Sequence, residues 1–423
     1  MTARPRRRAR SIVSRRVVPA LLLGLIAGCA PHPRTDAPLP PQRPVAPVTP
    51  APRGALPLPP ATAALQTRRG LPLASRPGYT TADLDPALAA FRTSCPALVK
   101  RVDVSGLTAS GDWVTPCAAA ATASNARDFF ATLTPVTIGD GRGLDTGYYE
   151  PDLAASLIRA PGYDVPIYRR PPDLIDIDLG TFDAALTGKH IRGRIDGSRF
   201  VPYYDRAAVD GGALAGKGLE LAWAADPYAA FFLEIQGSGR LRMADGAVLR
   251  VGYDGQNGHA YTGIGKLLRD RGALGPRQAT MAGIIGWLRS HPGDAPAVLH
   301  ANRSKIFFKR LDLPADRGPP GALGVPLTAR TSVAADPAFV PLGTPLWLDT
   351  TVAGAPFRTI LIAQDTGGAI KGANRLDLFW GSGDAAGTIA GGIAATGTVT
   401  VLLPPAAAAR LLATTDAAAP PRP

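Results

Sequence analysis

The spacing of apolar positions changes sharply as the chain proceeds. Over residues 82–132, Leu84, Leu88, Phe91, Cys95 and Leu98 recur at helical spacing, and Phe129, Phe130 and Leu133 follow. This period predicts helices over 82–101 and 118–132. From about residue 136 the texture turns to short runs of β-branched and aromatic residues broken by glycine and proline. Examples are "DVPIYRR", "SRFVPYYD", "YAAFFLEIQG", "AVLRVGY" and "SKIFFKR", each read as a strand. One helical interlude, 263–292, interrupts them. After residue 320 come "GVPLT", "TSVAADPAFVPLGTPLWLD", "RTILIAQD", "RLDLFWG" and "TVTVLLP". Many short strands at close spacing predict a barrel.

The two ends read differently. Seven arginines up to Arg16 precede the apolar run Val17–Ala27, which closes in Ala27-Gly28-Cys29. A basic start, a short apolar core and small residues before a cysteine are the marks of a secretory signal over 1–28, resembling a bacterial lipobox with Cys29 as the lipidated residue. Residues 31–60 hold 12 prolines in 30 positions, so 29–75 is expected to be a lipid anchor and an extended tether. Ala30 after the cysteine favours an outer membrane lipoprotein facing the periplasm. The Ala/Pro-rich stretch 405–423 is expected to be a disordered tail.

Composition narrows the partners. The full chain is +13, but the leader carries seven of the 46 basic residues and none of the 33 acidic ones, which leaves a mature chain near +6. That suits an anionic polymer, and the dense basic stripe of a nucleic-acid binder is missing. With Cys29 lipidated, Cys95 and Cys117 remain; in an oxidising periplasm they are expected to pair, the alternative being two free buried thiols.

Two Asp-Thr-Gly triplets, at Asp145 and Asp365, raise the possibility of an aspartic-protease dyad. Asp365 is fed by the apolar run Phe357–Ala363, but Asp145 follows the turn-like "TIGDGRG". The dyad therefore lacks half its frame, and Asp145 reads as a coincidence. In "RLDLFWG", strand alternation places Leu376, Leu378 and Trp380 on one face and Asp377 with Phe379 on the other. A carboxylate flanked by apolar groups and a second acid is a candidate for a raised pKa, which a general acid needs near neutral pH. Asp365 and Asp384 also read simply as acids bonding turn amides. "EIQGSGRL" and "GYDGQNGHAYTGIGK" place amides, hydroxyls and aromatic rings in glycine-rich loops, a composition that binds sugars. His259 has no second ligand at metal spacing, so no metal and no cofactor are expected.

The stretches "TGYYEP", "EIQGSGRLRMADG", "VGYDGQNGHAYTGIGKLL", "GALGVPLTARTSVAADPAFVPLGTPLWLDT" and "AQDTGGAIKG" with "LDLFWGSGDAAG" closely resemble the membrane-bound lytic murein transglycosylase A family, in order from about residue 80 to 404. The resemblance implies a mainly β fold with N-terminal helices: a double-psi β-barrel (76–151 plus 307–404) with an inserted smaller β-domain (152–306) and a glycan groove between them. It implies cleavage of the β-1,4 bond between N-acetylmuramic acid and N-acetylglucosamine in peptidoglycan, the C6 hydroxyl attacking C1 to leave a 1,6-anhydro end. On this resemblance Asp377 is the single acid and base and Asp365 supports it. Tyr148, Tyr149, Glu150, Gln236, Gly237, Ser238, Asn257, His259 and Asp384 are expected to bind substrate. A hydrolytic muramidase on the same scaffold, or a non-catalytic peptidoglycan-binding lipoprotein, are the alternatives.

Overall fold

A computed structural model describes residues 66–418 except 276–277 and 315–316. The signal segment, Cys29 and most of the expected tether lie outside the described residues. Among the described residues no helix is long and apolar enough to cross a membrane.

Three helices open the fold: α1 (Asp85–Leu98), α2 (Val114–Thr122) and α3 (Ala126–Ala131). Asn125 accepts from the Arg127 and Asp128 amides and so starts α3. Cys95 on α1 and Cys117 on α2 form a disulfide, with Cα atoms 5.6 Å apart.

The barrel draws on two distant parts of the chain. Strand β1 (Thr67–Arg69) pairs with β2 (Thr134–Ile138), and β3 (Arg142–Glu150) follows. The other barrel strands are β13 (Ser332–Ala335), β14 (Pro345–Val352), β15 (Ala355–Asp365), β16 (Leu376–Ser382) and β17 (Ala394–Leu403). They run in the order β17-β14-β15-β13-β16-β3, and β3 pairs again with β17, which closes a six-stranded barrel. Two of these pairings, β13 with β15 and β3 with β16, are parallel. The interior is apolar: Leu346, Leu348, Ile360, Ile362, Leu376, Leu378, Val399 and Val401 are buried and continuous with Phe91, Trp113, Phe129 and Phe130 of the helices. One polar bridge crosses that core. The Gln364 side-chain amide donates to the Ala90 carbonyl and Ser94 hydroxyl on α1 and accepts from Ser332. It anchors β15 one residue before Asp365.

Between β3 and β13 the chain builds a second body. Strands β4 (Asp152–Ser156), β5 (Val165–Tyr168), β9 (Glu220–Ala224), β10 (Ser238–Arg242), β11 (Val248–Gln256) and β12 (Ile306–Arg310) form one sheet. A three-stranded sheet of β6 (Ile175–Asp178), β7 (His190–Asp196) and β8 (Arg199–Pro202) adds to it. The helices are α4 (Arg206–Ala208), α5 (Pro227–Gln236), α6 (Ile264–Asp270), α7 (Met281–Ser290) and α8 (Ala295–Ala301). The chain returns to the barrel at β13; α9 (Gly383–Ala390) links β16 to β17, and α10 (Pro405–Ala418) ends the described chain.

Four expectations are corrected. "YAAFFLEIQG" is helix α5, because Asp226 accepts from the Tyr228 and Ala229 amides, Pro227 opens the helix and Gly237 ends it at φ 80°. The boundary expected at 306/307 cuts β12, whose Ile306–Arg310 pairs with β11 of the inserted sheet. The tether ends earlier than expected, since Thr67–Arg69 contains no proline and fills the free edge of β2. The start of the expected tail is helical: Pro405 suits a helix's first turn, alanine favours the helix, and Ala407, Ala408, Leu411 and Leu412 are buried.

Asp145, on β3, is fully buried beside the Thr350 hydroxyl, and neither of its oxygens makes a well-formed hydrogen bond. A Cβ at Gly397 would sit 2.1 Å from its carboxylate, so only glycine fits on β17 there. Burial pushes the Asp145 carboxyl up to about 6, with the Thr350 hydroxyl and the Arg375 charge offsetting part of the effect. A raised folded-state pKa means stability is greatest below the unfolded value and falls as pH rises to about 6. Across that window the cost reaches about 3 kcal/mol. The stability difference between Asp145→Asn and wild type, from urea unfolding, should shift in the variant's favour by that amount between pH 4 and 7. A constant difference would contradict the assignment.

Candidate active site

Ala334 on β13 is the point around which the site is built. Across one edge it pairs with Asp377 of β16, and across the other with Asp365 of β15. Cross-strand neighbours share a face, so both carboxylates leave the same side of the barrel, about 10 Å apart at Cα. The small side chain between them is buried among Tyr148, Leu327, Ile370 and Phe379. Leu376 and Leu378 point the other way into the core, as alternation predicts, and Phe379 packs on Tyr148 with ring centroids 5.3 Å apart.

Asp377 is half-buried. Its Oδ1 accepts a 2.5 Å hydrogen bond from the Thr146 hydroxyl, which faces it across the parallel β3–β16 pairing. Burial pushes its carboxyl up to about 6; the Thr146 hydroxyl and the Arg375 guanidinium pull it down, and Asp365 adds a smaller upward push. The repulsion expected from Asp365 is therefore present, and the loss of water expected from the apolar surroundings is the larger effect. Asp365 is itself raised by burial despite accepting from the Ala322 amide (2.8 Å), the Thr366 amide (2.9 Å) and the Tyr148 hydroxyl (2.8 Å).

Several residues expected to touch sugar serve the frame instead. Tyr148 is buried and spends its hydroxyl on Asp365. Glu150, 1% exposed, is held by Arg250 of β11 at 2.9 and 3.0 Å and accepts from Ser382 at 2.7 Å. It therefore ties barrel to inserted sheet. Asn257 is fully buried and bonds only backbone: its amide donates to the Tyr204 and Arg303 carbonyls and its oxygen accepts from the Lys305 amide. Gln236 accepts from the Tyr149 amide at 2.9 Å, and the Tyr149 hydroxyl meets the Met281 sulfur, so this pair also joins the two bodies. Gly237 caps α5 and Ser238 begins β10 beside it. The His259 ring nitrogen Nε2 lies 2.8 Å from the Tyr203 carbonyl and donates to it. Asp384 is exposed on the first turn of α9.

Three contributors were missed in the sequence. Thr146 gives only a weak local signal, a hydroxyl next to the aspartate of an Asp-Thr-Gly triplet. Arg375 stood two residues before Asp377 in plain view. Tyr261, partly exposed on the inserted body, has its hydroxyl pKa raised by burial, lowered by the Arg206 charge and raised again by Asp377, so it lies within electrostatic reach of that acid.

A closed six-stranded barrel thus carries the carboxylate pair, with a separate β-body inserted between two of its strands. Residues 144–309 match the MltA specific insert domain and residues 331–403 match the 3D domain. A membrane-bound lytic murein transglycosylase from Agrobacterium tumefaciens superposes with a TM-score of 0.75 at 34% identity, covering 82% of this chain and 99% of that one. The chain belongs to the membrane-bound lytic murein transglycosylase A family. The Escherichia coli (strain K12) membrane-bound lytic murein transglycosylase A is 34% identical over 267 residues, 61% of this chain and 64% of that protein. The match thus spans somewhat less than two thirds of the curated relative's length. The E. coli MltA structure with bound chitohexaose superposes with a TM-score of 0.57 at 28% identity, covering 75% of this chain and 87% of that one.

Breaking a buried ion pair by neutralising one partner leaves the other charge stranded, at a cost of about 3–5 kcal/mol. Glu150→Gln should therefore lower the unfolding free energy by about 3 kcal/mol in urea titrations. A variant as stable as wild type would show that the Glu150–Arg250 pair does not hold the bodies together.

Proposed function

We propose that the protein is a lytic transglycosylase that cleaves the β-1,4 MurNAc–GlcNAc bond of peptidoglycan. Asp377 protonates the departing glycosidic oxygen as the C1–O bond breaks. The C6 hydroxyl of the same muramyl residue then attacks C1 and returns its proton to Asp377, leaving a 1,6-anhydro end. The observation that carries the reading is one buried acid whose carboxyl is pushed up to about 6, with no second carboxylate free beside it among the described residues. A hydrolase needs a second carboxylate as nucleophile or base. Here Asp365 accepts three hydrogen bonds and Glu150 is locked to Arg250. Internal attack makes the second carboxylate dispensable, because the nucleophile arrives with the substrate at high effective concentration. The family membership and the chitohexaose-bound relative support the substrate class.

The leader and Cys29 support a lipid-anchored protein of the outer membrane that faces the periplasm, where murein lies. Ser238, His259 and Asp384 remain candidates for the sugar, as does Tyr261.

Asp377→Asn should lower turnover by about 10²–10⁴-fold while glycan binding persists. Mass spectrometry of digested sacculi reads the outcome: anhydro ends support the proposal, reducing ends point to a hydrolase, and intact strands to a binding protein. Since the acid must be protonated, kcat/KM should fall as pH rises through about 6, and Asp365→Asn should move that limb to lower pH. A rate still rising above pH 8 would refute the role of Asp377.

Cys29→Ser should release the protein from membrane fractions. Unchanged sedimentation with membranes would remove the lipid anchor.

A further inference from the structure

Arg375 precedes β16 by one residue and carries a cation with no acidic partner at ion-pair distance among the described residues. Its Nη2 donates to the Thr146 hydroxyl oxygen at 2.8 Å, and its Nη1 donates to the carbonyls of Leu144 (3.1 Å) and Leu376. Thr146 Oγ1 lies 2.5 Å from Asp377 Oδ1. The direction of this chain is forced. A guanidinium only donates, so the Thr146 oxygen must accept from it. The single hydroxyl proton is then left for Asp377 Oδ1, which must be the acceptor.

We infer that Arg375 and Thr146 act as a one-way hydrogen-bond relay that confines the catalytic proton of Asp377 to Oδ2. Both are positioning residues; neither touches the sugar. The inference rests on the reading of Asp377 as the acid. It has two consequences. An oxygen that accepts a hydrogen bond is the less basic of the two, so the proton favours Oδ2, which delivers it. As that proton leaves, charge develops on the carboxylate, and a donor fixed on Oδ1 stabilises the anion more than the neutral acid. The relay therefore strengthens as the reaction proceeds, which is the condition for an interaction to raise turnover. Loss of water holds the acid protonated while the relay keeps it strong enough to give the proton up. β3 and β16 supply the two ends, so barrel closure and proton placement are one event.

The test has an arm that needs no substrate. Carboxyl carbon NMR titration of aspartate-labelled protein, with the Asp377 signal assigned by its absence in Asp377→Asn, reads the acid directly. Thr146→Val and Arg375→Met should each raise the Asp377 pKa, the former by about one unit, and Thr146→Ser should restore it. The alkaline limb of kcat/KM should move up in the same variants, the reverse of its shift in Asp365→Asn. At pH 5, Thr146→Val and Arg375→Met should each lose about tenfold in kcat, and the double variant about tenfold rather than a hundredfold, because both break one chain. An unmoved Asp377 signal in Thr146→Val, or losses that multiply, would overturn the relay. If sacculi gave no anhydro ends the functional reading would fail, and the NMR titration would still decide the relay.

Discussion

The parallel pairing of β3 with β16 is the contact on which the structure turns. It sets Thr146 against Asp377 across 231 residues of chain, and with the β3–β17 pairing it closes the barrel. Closing a loop that long costs conformational entropy that no local signal offsets. The apolar interior built from Leu376, Leu378, Val399 and their neighbours supplies the compensation. The same closure withdraws water from Asp377 and so creates its raised pKa. Fold and chemistry thus share one cause.

The inserted body is coupled to that barrel by polar contacts more than by a shared apolar core. Glu150 with Arg250 and Gln236 with the Tyr149 amide both cross the junction. Buried ionic contacts are directional and costly to break singly. Within the inserted body a second buried set does similar work: Glu234 joins Arg206 at 2.8 Å and Lys305 at 2.7 Å, and its pKa is lowered. Glutamate, asparagine and tyrosine side chains that look like sugar ligands in the sequence are largely spent on this frame.

Much was legible from pattern. The helical period of Leu84–Leu98, the barrel strands after residue 320 and the outward face of Asp377 follow from spacing alone, since a strand's alternation fixes which side chains share a side. The α5 segment misled because its aromatic residues suit a strand, whereas its Asp-Pro opening and closing glycine specify a helix. End signals outweighed composition there. Asn257 misled for another reason: an amide in a glycine-rich loop looks available until the loop's own carbonyls claim it.

What the sequence by itself determined is the order of elements, the family, and Asp377 as the acid to examine, because local period and motif do not depend on distant contacts. Tertiary structure alone decided why the pKa of that acid is raised, which hydroxyl faces it, and that Asp145 is buried. Those properties depend on strands brought together from residues 142–150 and 332–403. Desolvation and hydrogen-bond direction exist only once such strands enclose a space, and no spacing along the chain encodes them.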